Sequence, residues 1–207
     1  MKQISKKVVL AFLAGFVIAL GCLINLISQN SVVGAVFFTT GLFLVLTRGY
    51  DLFTGKVAYI FDNDYKYSLY LIVMWIGNML GAGLLAVMTR YSSLYNKIAD
   101  KAETIVTAKL GQSHLSIFIL AILCGVIIFL AVENFKNNPH EIGKYFGLVF
   151  LIPLFILCGF EHCVANMYYC FVTNGQICEK IIFLIISTLG NTVGSLACNA
   201  IKKYKII

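Results

Sequence analysis

The sequence predicts an all-α integral membrane protein of six transmembrane helices, an inverted three-plus-three repeat with broken second and fifth helices. Three observations carry this reading. Hydrophobic residues make up 60% of the 207-residue chain and charged residues 12%, and the mean hydropathy is +0.89, outside the soluble globular range. Apolar runs of the roughly 20 residues needed to cross hydrocarbon recur six times. A pattern of residues also returns about 110 positions later.

Taken in order, the spans fall at about 8 to 28, 32 to 61, 67 to 90, 113 to 133, 143 to 170 and 180 to 200. The first opens on Lys6 and Lys7; within it, Ala19-Leu20-Gly21-Cys22 has the outline of a lipoprotein cleavage site, but the apolar run continues past it and predicts a retained helix. The second is too long for one crossing and is interrupted at Thr47-Arg48-Gly49-Tyr50-Asp51-Leu52-Phe53-Thr54-Gly55. The stretch from about 91 to 112 mixes Lys97, Asp100, Lys101, Glu103 and Lys109 and reads as a long extracytoplasmic connection. The fifth span is interrupted at Gly159-Phe160-Glu161-His162-Cys163-Val164-Ala165-Asn166-Met167. Little chain is left for a soluble domain, so residues 1–207 are expected to form a single transmembrane domain with halves of about 1–105 and 106–207.

The repeat is visible residue by residue. Leu13-x-Gly15-x-Val17-Ile18-x-Leu20 returns as Leu123-x-Gly125-x-Ile127-Ile128-x-Leu130, Asp51 as Glu161, and Gly77-Asn78-x-x-Gly81 as Gly190-Asn191-x-x-Gly194. A unit with an odd number of spans enters the membrane the second time in the opposite sense, and such inverted repeats bring paired broken helices to a shared site. Gly77, Gly81, Gly190 and Gly194, at small-xxx-small spacing, predict close helix contacts.

The formal charge of +7 invites a nucleic-acid partner, but Lys2, Lys6, Lys7, Lys202, Lys203 and Lys205 cluster at the two ends. That distribution is positive-inside flanking, with both termini cytoplasmic, and implies no nucleic acid. The seven cysteines, at 22, 124, 158, 163, 170, 178 and 198, include no CxxC pair and read as small apolar residues instead of metal ligands or disulfides.

Ionisable groups at bilayer depth are costly and mark transport paths. His162 titrates near neutrality when unperturbed, so it suits attraction of an anion or donation of a proton to it. For a lone helical His, packing against a carbonyl is the commoner outcome; the break, Glu161 beside it and Asn166 four residues on reverse that preference. Glu161 is expected to satisfy loop amides. Thr54 offers a hydroxyl to His162 or a permeating ion, or caps the resumed helix. Asp51 and Arg48 are expected to pair. The helix resuming after each break presents amides and a positive dipole end, which favours an anion. Phe38, Leu42, Phe53 and Phe155 are candidates for apolar constrictions.

At these residues the chain resembles the formate/nitrite transporter family, most specifically through Gly159-Phe160-Glu161-His162-Cys163-Val164-Ala165-Asn166-Met167 and then Asp51-Leu52-Phe53-Thr54-Gly55. The resemblance implies an aquaporin-like outline and a homopentamer with one pore per protomer. It implies His162 as the central pore histidine with Thr54 opposite. It further implies Leu52, Phe53 and Phe155 at an extracytoplasmic constriction, Phe38 and Leu42 at a cytoplasmic one, and Lys109 as a vestibule lysine that draws in anions. Two departures bear on selectivity: Gly125 stands where relatives often have Asn, and Thr47-Arg48-Gly49-Tyr50-Asp51 precedes Leu52-Phe53-Thr54 where many relatives have Thr-Gly-Ala-Glu. The N-terminal segment is shorter than in many relatives, where some use it in gating.

The expectation is therefore a channel or secondary transporter for small monovalent anions (formate, nitrite or hydrosulfide) across the cytoplasmic membrane, with protonation of the anion at the central histidine as one route. The alternative is an aquaporin-like pore for a small neutral solute such as water or hydrogen sulfide. No second acid/base pair or metal-ligand spacing supports an enzyme, and no cofactor is implied.

Overall fold

The computed structural model describes residues 2–203, with side chains from Ser5 onward. The Lys2 side chain and Lys205 lie outside the described residues. The elements run α1 (Lys2–Ile27), α2 (Ser31–Arg48), α3 (Phe53–Lys56), a 3-10 turn (Val57–Asp62), α4 (Tyr65–Arg90), α5 (Tyr95–Leu110), α6 (His114–Asn137), α7 (Glu141–Leu157), α8 (Cys163–Val172) and α9 (Ile177–Lys203). Five of these, α1, α2, α4, α6 and α9, contain stretches long and apolar enough to cross a membrane. The fifth apolar run of the sequence is divided between α7, of 17 residues, and α8, of 10.

The second and fifth runs leave the helix where the polar phrases predicted, and they do so in the same way. Gly49 after α2 and Gly159 after α7 take left-handed backbone, at φ 67° and 69°, which a residue without Cβ adopts freely. The next amide wraps back onto the helix it leaves: Tyr50 N–H donates to Val45 O, and Phe160 N–H to Phe155 O, both at 2.9 Å. The acidic residue then hooks onto a third helix. Asp51 N–H donates to Leu10 O of α1 at 3.2 Å, and Glu161 N–H to Leu120 O of α6 at 3.3 Å.

The stretch expected to be a connection between the third and fourth runs is largely helical. Residues 95–110 form α5, whose Ile98, Ala102 and Val106 are buried at helical spacing. Lys101 reaches back from it to the end of α1 and donates to Asn25 O at 2.9 Å and Ser28 O at 2.7 Å, satisfying carbonyls that a helix end leaves open. Lys97, Asp100, Lys101 and Glu103 lie off the buried face of this helix, which is why composition alone read it as loop.

Two intimate helix pairs, α1 with α4 and α6 with α9, frame the molecule. A Cβ placed on Gly15 would lie 1.9 Å from Asn78 O, and one on Gly125 would lie 2.3 Å from Asn191 O. Gly81 and Gly194 face Phe12 O and Ile122 O as closely. Gly125 is thus dictated by the approach of α9, and an Asn side chain in its place has no room against the Asn191 backbone.

Two ends of the bundle can be told apart. At one, here the terminal end, the first turns of α1 meet Asp51, and the last turn of α9 meets the 3-10 turn through Lys203–Asp62 and through Asn199 Nδ2 donating to Ala58 O at 2.9 Å. At the other, the α5 end, Arg90 of α4 donates to Asn174 Oδ1 at 2.7 Å, and Lys180 of α9 donates to the last carbonyls of α8. Gly125→Ala and Gly15→Ala are each expected to destabilise by about 3 kcal/mol through overpacking, read as a lowered apparent Tm in detergent. Gly49→Ala meets open space and should cost only the roughly 1 kcal/mol of its backbone strain.

Candidate functional site

The site is assembled by two buried asparagines. Asn78 of α4 donates Nδ2 to Ala11 O (2.7 Å) and Asp51 O (2.9 Å), while its Oδ1 accepts from Phe53 N–H (2.9 Å). Asn191 of α9 repeats this at Ala121 O (2.8 Å), Glu161 O (2.7 Å) and Cys163 N–H (2.8 Å). Each asparagine ties a close-packed helix, the loop carbonyl of a break and the first amide of the resumed helix. Backbone groups opened at bilayer depth are expensive unless paired, and these pairings answer the most exposed of them. The first amides of α3 and α8, Phe53 N–H and Cys163 N–H, are therefore taken by protein.

His162 caps α8. Its Nδ1 accepts from Ala165 N–H at 3.1 Å, and its Nε2 lies 2.9 Å from Thr54 Oγ1. An acceptor at Nδ1 fixes the neutral tautomer: the proton sits on Nε2 and is donated to Thr54. The threonine oxygen then keeps its own hydrogen to give. Thr54 lies inside α3, whose cap is Leu52, so the alternative role as an N-cap is not taken. Both side chains are buried, at 2% and 1% exposure.

Glu161 is held by side chains, not by the loop amides expected. Its Oε2 accepts from Lys109 Nζ at 2.5 Å and Asn166 Nδ2 at 3.0 Å, and its Oε1 from Gln112 Nε2 at 3.1 Å. Ser116 Oγ in turn donates to Gln112 Oε1 at 2.9 Å. Lys109 thus reaches the site from α5 as the counter-ion of a fully buried carboxylate, with a side chain 16% exposed. Asn166 Oδ1 is buried and accepts no hydrogen bond among the described residues.

Asp51 does not pair with Arg48. Its carboxylate is held by Lys56 Nζ and the Tyr70 hydroxyl, and Tyr67 donates to Lys56 O at 2.8 Å. Lys7 lies 4.4 Å over the Tyr70 ring.

The apolar candidates group differently from the expected division. Phe38 and Phe155 pack edge to face with ring centroids 5.6 Å apart, and Phe155 lies 5.9 Å from the His162 ring. Leu42 and Leu52 instead share a cavity of about 480 Å³ with Val132, Phe135, Lys56 and Lys136 at the terminal end. Helical spacing explains the error: Phe38 and Leu42 lie one turn apart on α2, and that turn separates the two groups. Phe53 is buried beside Asn78.

Asn78, Asn191, Gln112, Lys56 and Tyr70 were not anticipated. The asparagines left a signal, since an Asn follows the first Gly of each Gly-x-x-x-Gly pair; nothing local to Gln112 or Tyr70 distinguishes them from other polar residues.

The fold agrees with comparisons to known proteins. A family model described as formate/nitrite transporter matches residues 1–204. A probable formate transporter of Methanothermobacter thermautotrophicus is 30% identical, over 92% of this chain and 85% of that protein. The formate channel BtFdhC of Bacillus thuringiensis is 29% identical, over 77% and 69%. The solved structure of a pentameric formate channel with formate bound superposes with a TM-score of 0.83 at 22% identity, covering 99% of this chain and 98% of that one. The chain is a multi-pass membrane protein that belongs to the formate/nitrite transporter family.

Proposed function

We propose that the protein is a homopentameric channel or secondary transporter for a small monovalent anion, formate first and nitrite or hydrosulfide next, across the cytoplasmic membrane with both termini on the cytoplasmic side. The observation that carries this is the buried contact of His162 with Thr54, which joins the two interrupted helices between two apolar groups. Similarity to a formate channel and to a probable formate transporter supports the substrate.

The chemistry follows from the tautomer. The centre presents one uncharged donor, the Thr54 hydroxyl, oriented by His162 Nε2–H, and Asn166 Oδ1 supplies an acceptor one helical turn along α8. Turning His162 into an imidazolium places a second N–H against Ala165 N–H and breaks the cap of α8. A carboxylate approaching Thr54 is therefore held by neutral hydrogen bonds, and its charge is removed most cheaply by a proton that reaches it from the adjoining water. Crossing as the neutral acid avoids the cost of bare charge between Phe38 and Phe155. Direct protonation by His162 requires the Ala165 amide to let go in each cycle.

The uncharged centre also supports a second reading, an aquaporin-like pore for a small neutral solute such as hydrogen sulfide. The two are separated by whether flux follows the concentration of the anion or of its conjugate acid when pH is varied at constant total solute.

Uptake of formate, nitrite and hydrosulfide into proteoliposomes, with chloride as control, tests the site. Thr54→Val is expected to slow formate about tenfold, the size of one lost hydrogen bond to a charged group. His162→Phe is expected to alter the pH dependence of uptake, and unchanged rates at every pH would remove His162 from the mechanism. Lys109→Gln leaves Glu161 buried without its cation and should cost about 3 kcal/mol. The double variant with Glu161→Gln is expected to regain most of that stability, measured as apparent Tm.

A further inference from the structure

We infer that the terminal-end cavity binds a water-soluble monocarboxylate with a short aryl or alkyl tail, which lodges over Leu42 and Leu52 and plugs the pore. The inference rests on the reading above that these leucines line the transport path.

The cavity, about 480 Å³, falls within the ~300–1,000 Å³ of sites that enclose small organic ligands, and a triatomic anion fills little of it. Its polarity is graded. Leu42, Leu52 and Val132 form a buried floor at 1%, 1% and 2% exposure, Phe135 supplies an aromatic wall, and Lys56 and Lys136 provide charge. Lys56 is engaged by Asp51. Lys136 is exposed and has no carboxylate within ion-pair distance among the described residues. The nearby Glu133 is instead occupied by Lys202, Tyr59 and Asn137. Lys136 rests 4.8 Å over the Tyr59 ring, with its Nζ 3.5 Å from the hydroxyl.

An unmatched ammonium above a greasy floor suits an amphipathic anion. The carboxylate meets Lys136, and the tail displaces water from Phe135 and the leucines. The internal repeat supplies an independent argument. The positions 110 away from Lys56 and Lys136 hold Asn166 and Leu26, so the repeat does not place this pair of cations at the α5 end. The lysines are a departure at one mouth, not a product of the shared scaffold.

Direct binding of radiolabelled phenylbutyrate to purified protein in zwitterionic nanodiscs tests the site without relying on transport. Saturable binding at one site per chain is expected. Excess phenylbutyrate should displace the label while acetate and phenylbutyramide at the same concentration do not. Lys136→Gln should weaken binding about tenfold or more, the worth of a charge-assisted hydrogen bond, and Lys136→Arg should retain it. Absence of saturable binding, equal displacement by acetate or by the amide, or unchanged affinity in Lys136→Gln would overturn the site. Displacement by palmitate alone would assign the cavity to a lipid chain and overturn the soluble ligand. In proteoliposomes phenylbutyrate should block formate uptake in proportion to its binding. Lys136-dependent binding without block would overturn the plug, whereas untreated protein that carries no formate counts only against the transport reading.

Discussion

A helix interrupted inside a membrane opens backbone donors and acceptors that lipid cannot satisfy, and the rest of this structure depends on how two asparagines satisfy them. Asn78 and Asn191 each make three hydrogen bonds, at 2.7 to 2.9 Å, to a neighbouring helix, a loop carbonyl and the first amide after the break. The geometry requires the asparagine-bearing helix to approach its partner closely. That is why Gly15 and Gly125 stand opposite the asparagine backbones, where a Cβ would collide. Small residues and buried amides here form one device: the glycines bring the helices together, and the asparagines use the proximity to hold a loop open at depth.

The two halves share this device and then diverge at the buried polar residues around it. Asp51 and Glu161 correspond in the repeat, and so do Lys56 and Asn166. In the first half the carboxylate is neutralised from its own resumed segment by Lys56; in the second the corresponding residue is an amide, and the cation arrives from α5 as Lys109. Leu52 corresponds to His162 and Thr54 to Val164. The central contact therefore joins positions that are not repeat mates. An approximately symmetric frame holds an asymmetric pair, with one imidazole and one hydroxyl where two-fold symmetry would have placed two of each.

His162 also shows how two contacts constrain one side chain. A capping nitrogen must accept, so Nδ1 is unavailable for a proton while α8 keeps its first-turn hydrogen bond to Ala165. The requirement that stabilises the helix also selects the tautomer that points a proton at Thr54. Glu161 does not add net charge nearby, because Lys109 pairs with it and Gln112 and Asn166 complete its shell. The result is a buried centre with a directional donor and compensated ions around it.

Composition, hydropathy and the 110-residue offset determined the membrane class, the helical architecture, the positions of both breaks and the prominence of His162, Thr54 and Glu161. These are local or periodic properties: hydrophobic length follows from consecutive residues, and a left-handed turn declares itself by a glycine such as Gly49 or Gly159. The carboxylate partners were decided by the tertiary structure. Asp51 has Arg48 three residues before it and Lys56 five after it, and only the turn of the chain after Gly49 selects between them. Glu161 meets Lys109 and Gln112 from about 50 positions away, because α5 packs across that end of the bundle. The division of the apolar residues into Phe38 with Phe155 and Leu42 with Leu52 likewise belongs to the fold, since one turn of α2 separates neighbours in sequence into different packing groups. Spacing along a chain carries periodicity, but the pairing of buried charges depends on which helix ends meet, and that is fixed only when the close-packed pairs α1–α4 and α6–α9 have formed.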